Sequence, residues 1–468
     1  MKNMKLLSLL LLMALPAVVQ AQFTYITLNG TIIITGCTGS PTELIIPSTT
    51  NGLPVTGIGS SAFQNKFSVT NVTIPDSVIN IGGQAFFNCG NLNNVTMGNS
   101  VALISNYAFM SCSNLVAINL PNSVTNIYEG AFKNCHSLTN ITIPNNVISL
   151  GNSSFENCSN LASVTLGTNL TTIGDNAFGA VFSNCTSLAS ITIPDSVISI
   201  GCLAFLNCHS LTNVTIGNSV TNIGNYAFTS CSNLSGVMIP DSVTTIGTYA
   251  FYQCSSLTNV TIGKSVKNTG DYAFGYCTNL ISLTIANGVT NIGNYEFEFC
   301  TRLANIKFAS SITSIGTWAF QGCSSLNNIT IPSSVTNILA GAFGSCSKLK
   351  AVFFQGNAPG SSGGFNAPTI IYYLPGTTGW KNPFGSALTA LWNPQPQTSN
   401  ASFGVRTNQF GFNITGTANI PIVVEASTNL GGGTWIPLQS VGLTNGSFYF
   451  SDPQWTNYPG RFYRIRSP

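Results

Sequence analysis

The sequence predicts a mainly β solenoid followed by a small all-β domain. Three observations lead to this fold class. A motif of 23 residues recurs from residue 57 to residue 356, apolar residues alternate within each copy, and the repeat stops before a C-terminal stretch of different character. One copy cannot bury its apolar face alone, so neighbouring copies have to stack around a shared core. We therefore predict about 13 coils of 23 residues with a cap at each end.

The composition argues against several functional classes. Only 6% of the 468 residues are charged, with 15 Lys and Arg, 12 Asp and Glu, and 2 His. A typical soluble domain carries about 25% charged residues. A nucleic-acid-binding surface needs clustered Lys and Arg to pair with the phosphate backbone, and the few cations of this chain are dispersed. The composition therefore argues against nucleic-acid binding. Two histidines in the whole chain disfavour histidine-based catalysis and multi-histidine metal sites, and no cofactor is expected.

Residues 1–21 are typical of a secretory signal peptide. Lys2 and Lys5 precede an apolar run over residues 6–15, and Val19-Gln20-Ala21 supplies a small-residue cleavage pattern. The apolar run is shorter than the roughly 20 residues that a membrane-spanning helix needs. We expect a secreted, extracellular or cell-surface protein without a membrane span.

Residues 22–56 are expected to form the N-terminal cap and an irregular first coil. Residues 23–34 alternate like a pair of strands around the turn dipeptide Asn29-Gly30. A solenoid end exposes apolar surface, so a cap is required there.

The repeats of residues 57–356 follow the consensus A-F-x-x-C-x-x-L-x-x-V/I-T-I-P/G-x-S-V-T-x-I-G. Val214 and Ile216 alternate about an outward Thr215 as in a strand, and Gly217 then turns the chain. One phenylalanine per copy should form a buried column, interrupted by a four-residue insertion at residues 179–182. The predicted column is Phe63, Phe86, Phe109, Phe132, Phe155, Phe178, Phe205, Phe228, Phe251, Phe274, Phe297, Phe320 and Phe343.

This pattern resembles the BspA-like leucine-rich repeats of exported bacterial surface proteins, and residues 204–224 carry it almost intact. The resemblance implies a leucine-rich repeat solenoid with a protein-binding or adhesive role outside the cell, and it identifies no ligand. The chain departs from the pattern locally. Lys66 replaces the first cysteine, residues 267–269 replace the usual x-x-Ile, and Glu296 replaces an alanine.

Cysteine occupies one position in consecutive copies, which we call the cysteine ladder. Side chains stacked in register have nearly parallel Cβ directions, which suit the disulfide dihedral poorly. We predict buried free thiols that act as small apolar side chains. The sequence contains no C-x-x-C motif that would indicate a metal site. The ladder consists of Cys89, Cys112, Cys135, Cys158, Cys185, Cys208, Cys231, Cys254, Cys277, Cys300, Cys323 and Cys346, with Cys37 and Cys202 outside it.

No constellation of side chains predicts catalysis, and the protein is expected not to be an enzyme. His136 and His209 lie three coils apart, which is too far to share a metal. Asp195 and Asp241 lie two coils apart, about 10 Å, a separation that would suit an inverting glycosidase. Their identical turn context favours solvated turn residues instead. The recurring turn serines are expected to hydrogen-bond to the backbone.

The position two residues before the repeat phenylalanine carries the candidate ligand-binding residues. Earlier coils place Gln, Gly, Ser, Asn or Leu there, with only Tyr107 alike, so the core does not require an aromatic side chain. A row of amphipathic aromatics is typical of a protein or sugar contact surface, and stacking of the rings on one another is the alternative explanation. This tyrosine stripe consists of Tyr226, Tyr249, Tyr272, Tyr295 and Trp318. The outward threonines of the strands form a second candidate face.

The chain after the repeats divides into three predicted segments. Residues 357–392 should cap the last coil, and residues 393–400, with Pro394 and Pro396, are typical of a linker. Residues 401–468 contain five short strand patterns separated by turns such as Asn445-Gly446, which predicts a small sandwich-like all-β domain.

These observations predict a non-catalytic exported protein that binds a protein or glycan on a cell or matrix surface. The alternative is a structural role in which solenoids assemble into a surface layer or matrix.

Overall fold

The chain winds into a β-solenoid in which every coil has two strand sides and one turn side. The structure, a computed structural model, describes residues 22–365, 368–430 and 433–466. The predicted signal peptide at residues 1–21 lies outside the described residues. In the described ranges no helix has the length and apolar character needed to cross a membrane.

The solenoid strands are short from residue 71 onward, because each coil there turns after two to four extended residues. In chain order they are β1 (Phe23–Leu28), β2 (Thr31–Cys37), β3 (Glu43–Ile45), β4 (Thr49–Thr50), β5 (Leu53–Ile58), β6 (Asn71–Thr73), β7 (Asn80–Ile81), β8 (Asn94–Thr96), β9 (Leu103–Ile104), β10 (Ala117–Ile118), β11 (Asn126–Ile127), β12 (Asn140–Thr142), β13 (Ser149–Leu150), β14 (Ser163–Thr165), β15 (Thr172–Ile173), β16 (Ser190–Thr192), β17 (Ser199–Ile200), β18 (Asn213–Thr215), β19 (Asn222–Ile223), β20 (Gly236–Met238), β21 (Thr245–Ile246), β22 (Asn259–Ile262), β23 (Asn268–Thr269), β24 (Ser282–Ile285), β25 (Asn291–Ile292), β26 (Asn305–Lys307), β27 (Ser314–Ile315), β28 (Asn328–Ile331), β29 (Asn337–Ile338), β30 (Ala351–Phe354), β31 (Ile370–Tyr373) and β32 (Leu388–Leu391).

Two sets of ladders, parallel from coil to coil, hold the strand sides together. The first is a 16-stranded sheet in the order β1-β2-β5-β7-β9-β11-β13-β15-β17-β19-β21-β23-β25-β27-β29, with β4 paired to β5. Its register advances by one repeat per strand, so that Ile223 pairs with Ile246. The strands of the V/I-T-I motif form the second side in four sections: β10-β8-β6-β3, β12-β14, β16-β18-β20-β22-β24-β26 and β28-β30-β31-β32.

The third side of each coil is a pair of tight turns around the repeat phenylalanine. The residues two before and two after it adopt left-handed backbone angles, as at Tyr226 (φ 56°) and Ser230 (φ 59°). Alternate N–H groups then point at the next coil. Tyr226, Phe228 and Ser230 donate backbone hydrogen bonds of 2.9, 2.7 and 2.8 Å to it. This side is therefore hydrogen-bonded from coil to coil without being a sheet.

The buried phenylalanine column fills the core, with ring centroids 5.1–5.5 Å apart from Phe63 to Phe343. The prediction of Phe178 in this column was wrong. Phe178 is 75% exposed, and the fully buried Phe182 stacks 5.5 Å from both Phe155 and Phe205. The insertion therefore bulges before the column position, where Asp175 accepts a hydrogen bond from the Phe178 N–H. Beyond the predicted repeats, Phe365 extends the column, 5.2 Å from Phe343.

The cysteine ladder runs beside this column as free thiols. Each ladder Sγ donates to the carbonyl oxygen of the column phenylalanine in the preceding coil, as Cys231 does to Phe205 at 3.2 Å. Burial raises the pKa of these thiols, that of Cys158 to about 12. Every ladder thiol therefore has a hydrogen-bond acceptor inside the core.

We expect thiol titration of the denatured protein, without reductant, to find most of the 14 cysteines. In the folded protein alkylation should be slow, because the thiolate is the reactive form and burial suppresses it. The half-buried Cys37 should react first. Finding two or fewer thiols after denaturation would show that the ladder is oxidised.

The N-terminal end is closed by the hairpin of β1 and β2, which pair antiparallel around Asn29 and Gly30. Lys66, which stands at the first cysteine position, donates from Nζ to the carbonyl oxygens of Cys37 (3.2 Å) and Gly39 (3.0 Å). This departure from the consensus thus ties the first coil to the cap.

Two antiparallel sheets form the C-terminal domain. One contains β33, β34, β35 and β38, and the other has the order β37-β36-β39. Their facing side chains share a core, to which Phe353 and Tyr372 of the solenoid end also belong. The strands are β33 (Gln395–Gln397), β34 (Gly404–Arg406), β35 (Gln409–Thr415), β36 (Pro421–Ser427), β37 (Ile436–Gly442), β38 (Ser447–Asp452) and β39 (Phe462–Arg466), with 3₁₀ turns at Thr444–Gly446 and Trp455–Asn457.

The segment of residues 393–400, expected to be a linker, contributes β33 to this domain. Gln395 and Gln397 lie opposite Thr415 and Asn413 of β35. Proline lacks an N–H and is tolerated in an edge strand, where one side needs no donor. The proline content that is typical of a linker is therefore also compatible with the edge strand found here.

Candidate functional site

The five residues of the tyrosine stripe all have a left-handed backbone, with φ between 54° and 57°. Such angles cost an L-residue about 1–2 kcal/mol relative to ordinary conformations. Gly130 and Gly341 hold the same position in other coils at φ 58° and 64°, and glycine adopts this conformation freely. The stripe residues therefore keep large rings at a position where glycine would remove this strain.

The stripe rings stack on one another. Tyr226, Tyr249, Tyr272 and Tyr295 have successive ring centroids 4.9, 4.7 and 4.4 Å apart and are within 9° of parallel. Trp318 meets Tyr295 edge-on at 5.0 Å. The two ends are exposed and the three central rings are half-buried. The stacking that was the alternative explanation of the stripe is thus present, and it leaves ring edges and hydroxyl groups, rather than central ring faces, open to a partner.

A second row of rings, which the sequence reasoning missed, lies beside the stripe. Tyr252 meets Tyr249 edge-on at 5.1 Å, Tyr276 lies 5.3 Å from Tyr252, and Phe299 lies 5.0 Å from Tyr276. Each of these residues follows a column phenylalanine by one or two positions. They do not share one repeat position, so the sequence pattern does not show them as a row. We call the stripe together with Tyr252, Tyr276 and Phe299 the aromatic patch.

Two acidic side chains, Glu298 and Asp271, place negative charge near the aromatic patch. Burial raises the pKa of Glu298, whose side chain belongs to the coil of Phe299. Burial and then the Glu298 carboxylate raise the pKa of Tyr272 to about 12. Asp271 precedes Tyr272 and accepts a hydrogen bond of 3.0 Å from the Asn294 N–H. A ligand at this surface therefore meets aromatic rings and negative charge together.

The threonine face lies on the V/I-T-I strands, away from the aromatic patch. Thr215 and Thr261 are exposed there, and Met238, at the same outward position, is 82% exposed. A cavity next to Gly236 is lined by Thr215 and Met238. This face is polar and uncharged over most of its length, unlike the aromatic patch.

The turn residues considered for catalysis bind neighbouring coils. The prediction for the turn serines is confirmed at Ser196 and Ser242, whose hydroxyls each donate a hydrogen bond of 2.7 Å to a carbonyl of the preceding coil. It is wrong at Ser77 and Ser334, whose buried hydroxyls have no hydrogen-bond partner among the described residues. Asp195 accepts a 2.7 Å hydrogen bond from the backbone N–H of Asn218. His209 Nδ1 lies 2.9 Å from the Ser230 carbonyl oxygen. Across the part of the chain that the structure describes, no three His, Cys, Asp or Glu side chains could jointly hold a metal ion.

Comparison with known proteins identifies the repeat. The family described as BspA type Leucine rich repeat region matches residues 56–181, 180–300 and 267–362. A leucine-rich repeat protein from Bacteroides ovatus has 29% sequence identity and a TM-score of 0.61, over 71% of this chain and 93% of that one. A leucine rich cell surface protein from Faecalibacterium prausnitzii has 30% identity and a TM-score of 0.45, over 71% and 86%. No curated protein matches the chain.

Proposed function

Because the chain belongs to the BspA type leucine-rich repeat family, we propose that it is a non-catalytic surface protein that recognises a protein or glycan through the tyrosine stripe. The observation that carries this proposal is the unbroken run of five large aromatic side chains at a left-handed position that other coils fill with varied residues, among them Gly130, Ser153 and Leu203. The signal-peptide pattern of residues 1–21 supports export. Solenoids of this kind offer an extended surface for partners.

The stripe has the physical properties of a contact surface. Stacked rings are already ordered, so little side-chain entropy is lost when a partner binds. Exposed ring edges and hydroxyls offer apolar contact and hydrogen bonds from the same side chains. Tyrosine and tryptophan are also the residue types that dominate binding energy at interfaces.

Replacing Tyr249, Tyr272 and Tyr295 together by Ser is expected to weaken ligand capture by about ten- to hundredfold. Serine already occupies this position at Ser61 and Ser153 with φ 55°, so the backbone accepts it. Stability should fall moderately, since each stacked pair contributes about 0.5–1.5 kcal/mol. Capture from cell-surface and matrix fractions, quantified against the unaltered protein, measures the effect.

Tyr107→Ser is the matched control, because Tyr107 holds the same repeat position outside the stripe and its hydroxyl bonds to Glu129. It should leave capture unchanged. A folded triple variant that captures normally would exclude the stripe, and the threonine face would then be the surface to test.

A further inference from the structure

Glu298 lies within the aromatic patch, with a largely buried side chain and no counter-charge among the described residues. Its side chain follows the column phenylalanine Phe297 by one residue, and the residue is only 8% exposed. Within the described ranges its carboxylate has no ion pair and accepts no hydrogen bond, although its backbone is bonded to Tyr276 and Tyr295. Neither oxygen of Glu298 is among the fully buried side-chain oxygens that lack a hydrogen-bond partner, so the carboxylate reaches solvent and is accessible to a cation from a partner.

The same repeat position elsewhere shows how this chain pairs such a carboxylate. Glu156 follows Phe155 by one residue, and Lys133, one coil earlier at the equivalent position, lies 2.7 Å from it. At Glu298 the equivalent earlier residue is Gly275. A Cβ at Gly275 would lie 3.1 Å from the ring of Tyr252 and 3.5 Å from that of Tyr272. Aromatic rings therefore border the place from which Lys133 supplies a cation in the other coil.

The coil of Glu298 is bonded to that of Tyr276, whose N–H donates to the Glu298 backbone carbonyl at 2.7 Å, and four phenol rings respond to the charge of this carboxylate. Burial raises the pKa of Tyr249, Tyr252, Tyr272 and Tyr276, and the negative charge of Glu298 raises the pKa of each further. Asp271 adds a second negative charge near Tyr249. Phenol oxygens and carboxylates both accept hydrogen bonds from a cation, and this combination of aromatic side chain and carboxylate is stronger where water is partly excluded.

The C-terminal domain contains this combination with its cation in place. Arg464 has its guanidinium carbon 4.3 Å from the ring centroid of Trp435, and its Nη2 lies 2.7 Å from Glu425. The planar guanidinium stacks on the ring and donates hydrogen bonds to the carboxylate at the same time. In the C-terminal domain the chain's own arginine contacts both an aromatic ring and a carboxylate. At Glu298, aromatic rings also lie beside a carboxylate, but no arginine of the described residues is paired with it.

We propose that the aromatic patch binds an arginine side chain of a partner protein, which inserts among the rings and pairs with Glu298. This inference rests on the proposed function of the stripe and narrows its ligand to a protein with an exposed arginine. A recessed carboxylate requires a long side chain that carries hydrogen-bond donors at its end. Arginine and lysine both meet these requirements, whereas a quaternary ammonium group has no N–H to donate. The contact of Arg464 with both Trp435 and Glu425 favours arginine beside aromatic rings.

Saturation-transfer NMR with the peptide acetyl-Gly-Arg-Gly-amide tests the proposal. We expect signal on the arginine side-chain methylenes with the unaltered protein and none with the peptide in which citrulline, its neutral isostere, replaces arginine. Glu298→Gln should weaken peptide binding by about tenfold or more. Gly275→Lys places a lysine where Lys133 stands in the other coil and should also abolish binding. Glu156→Gln is the matched control and should leave peptide binding unchanged.

The outcomes separate this inference from the proposed function. Equal signal from the citrulline peptide, or unchanged binding to folded Glu298→Gln, would overturn the arginine proposal. Binding of choline that depends on Glu298, with no arginine signal, would overturn it in favour of a quaternary ammonium ligand. If Glu298→Gln captures the surface ligand normally while the triple tyrosine variant does not, the stripe remains the contact surface and only the arginine inference fails.

Discussion

Phe182→Ala is expected to destabilise the protein by about 3–5 kcal/mol, whereas Phe178→Ala should change the free energy of unfolding by less than about 0.5 kcal/mol. Phe182 is fully buried, with a column ring 5.5 Å away on each side. Phe178 is 75% exposed on the inserted bulge. The two variants remove the same side chain four residues apart, so each controls for the other.

The loss at Phe182 should be local as well as large, because each coil of a solenoid contacts only its neighbours. Urea denaturation gives the overall change, and hydrogen exchange locates it. We expect amide protection to fall in the coils of Phe155 and Phe205 and to persist near Phe297. Equal destabilisation by the two substitutions, or a larger effect at Phe178, would contradict the position of the column.

The repeat register around the insertion could have been predicted correctly from the sequence. Counting 23 residues from Phe155 leads to Phe178, whereas counting back three residues from Cys185 leads to Phe182. The cysteine is the better marker, because its thiol is bonded to the Phe155 carbonyl inside the core at 3.3 Å. An insertion can bulge outward where the chain reaches the surface. The 23-residue interval is therefore a less reliable marker of the register there than the buried cysteine.

The aromatic patch was predictable only in part. Repeat spacing places the stripe residues in one row because coils stack in register. The left-handed backbone of that row, and the second row containing Tyr252 and Tyr276, depend on turn geometry within the coil. The frequent Asn and Ser two residues after the column phenylalanine, as at Asn207 and Ser230, were a signal for left-handed turns.

The contact between Thr269 and Glu296 could not be predicted from the sequence, for a different reason. Thr269 and Glu296 each break the repeat, and they lie in adjacent coils where Ile and Ala are usual. The structure brings them into contact, with the Thr269 hydroxyl donating to the Glu296 carboxylate. The sequence shows two separate irregularities, and only the stacking of the coils makes them one polar pair in the core.

This polar pair leads to the second large expected effect, on the pH dependence of stability. Glu296 is fully buried, its Oε2 accepts a 2.7 Å hydrogen bond from the Gly293 N–H, and within the described residues its Oε1 has no partner. Burial raises its pKa to about 8, although the bonds from Thr269 and Gly293 oppose this and the charge of Asp271 adds to it. The thiol of Cys300 also faces the pair, and burial keeps it protonated over this range.

The sign of the effect follows from the direction of this pKa change. Below about pH 4.5, the carboxyl is protonated in both the folded and the unfolded chain and has no effect on stability. Between about pH 4.5 and 8 the unfolded chain loses a proton that the folded chain retains, so stability falls by about 1.4 kcal/mol for each step of one in pH. Above about pH 8 both states are ionised, and the total loss levels off at about 4–5 kcal/mol.

The double substitution Thr269→Ile with Glu296→Ala restores the consensus and should remove this loss. Its free energy of unfolding relative to the unaltered protein should be constant below about pH 4.5 and rise toward pH 8 by several kcal/mol, because the ionisable group is gone. Subtracting the two curves cancels the other titrating groups. Thr269→Ile alone is the contrasting variant, since it removes a hydrogen-bond donor from a buried carboxyl and should destabilise. Urea denaturation from pH 4 to pH 9 measures all three, and a difference curve that stays flat across this range would show that Glu296 does not titrate inside the core.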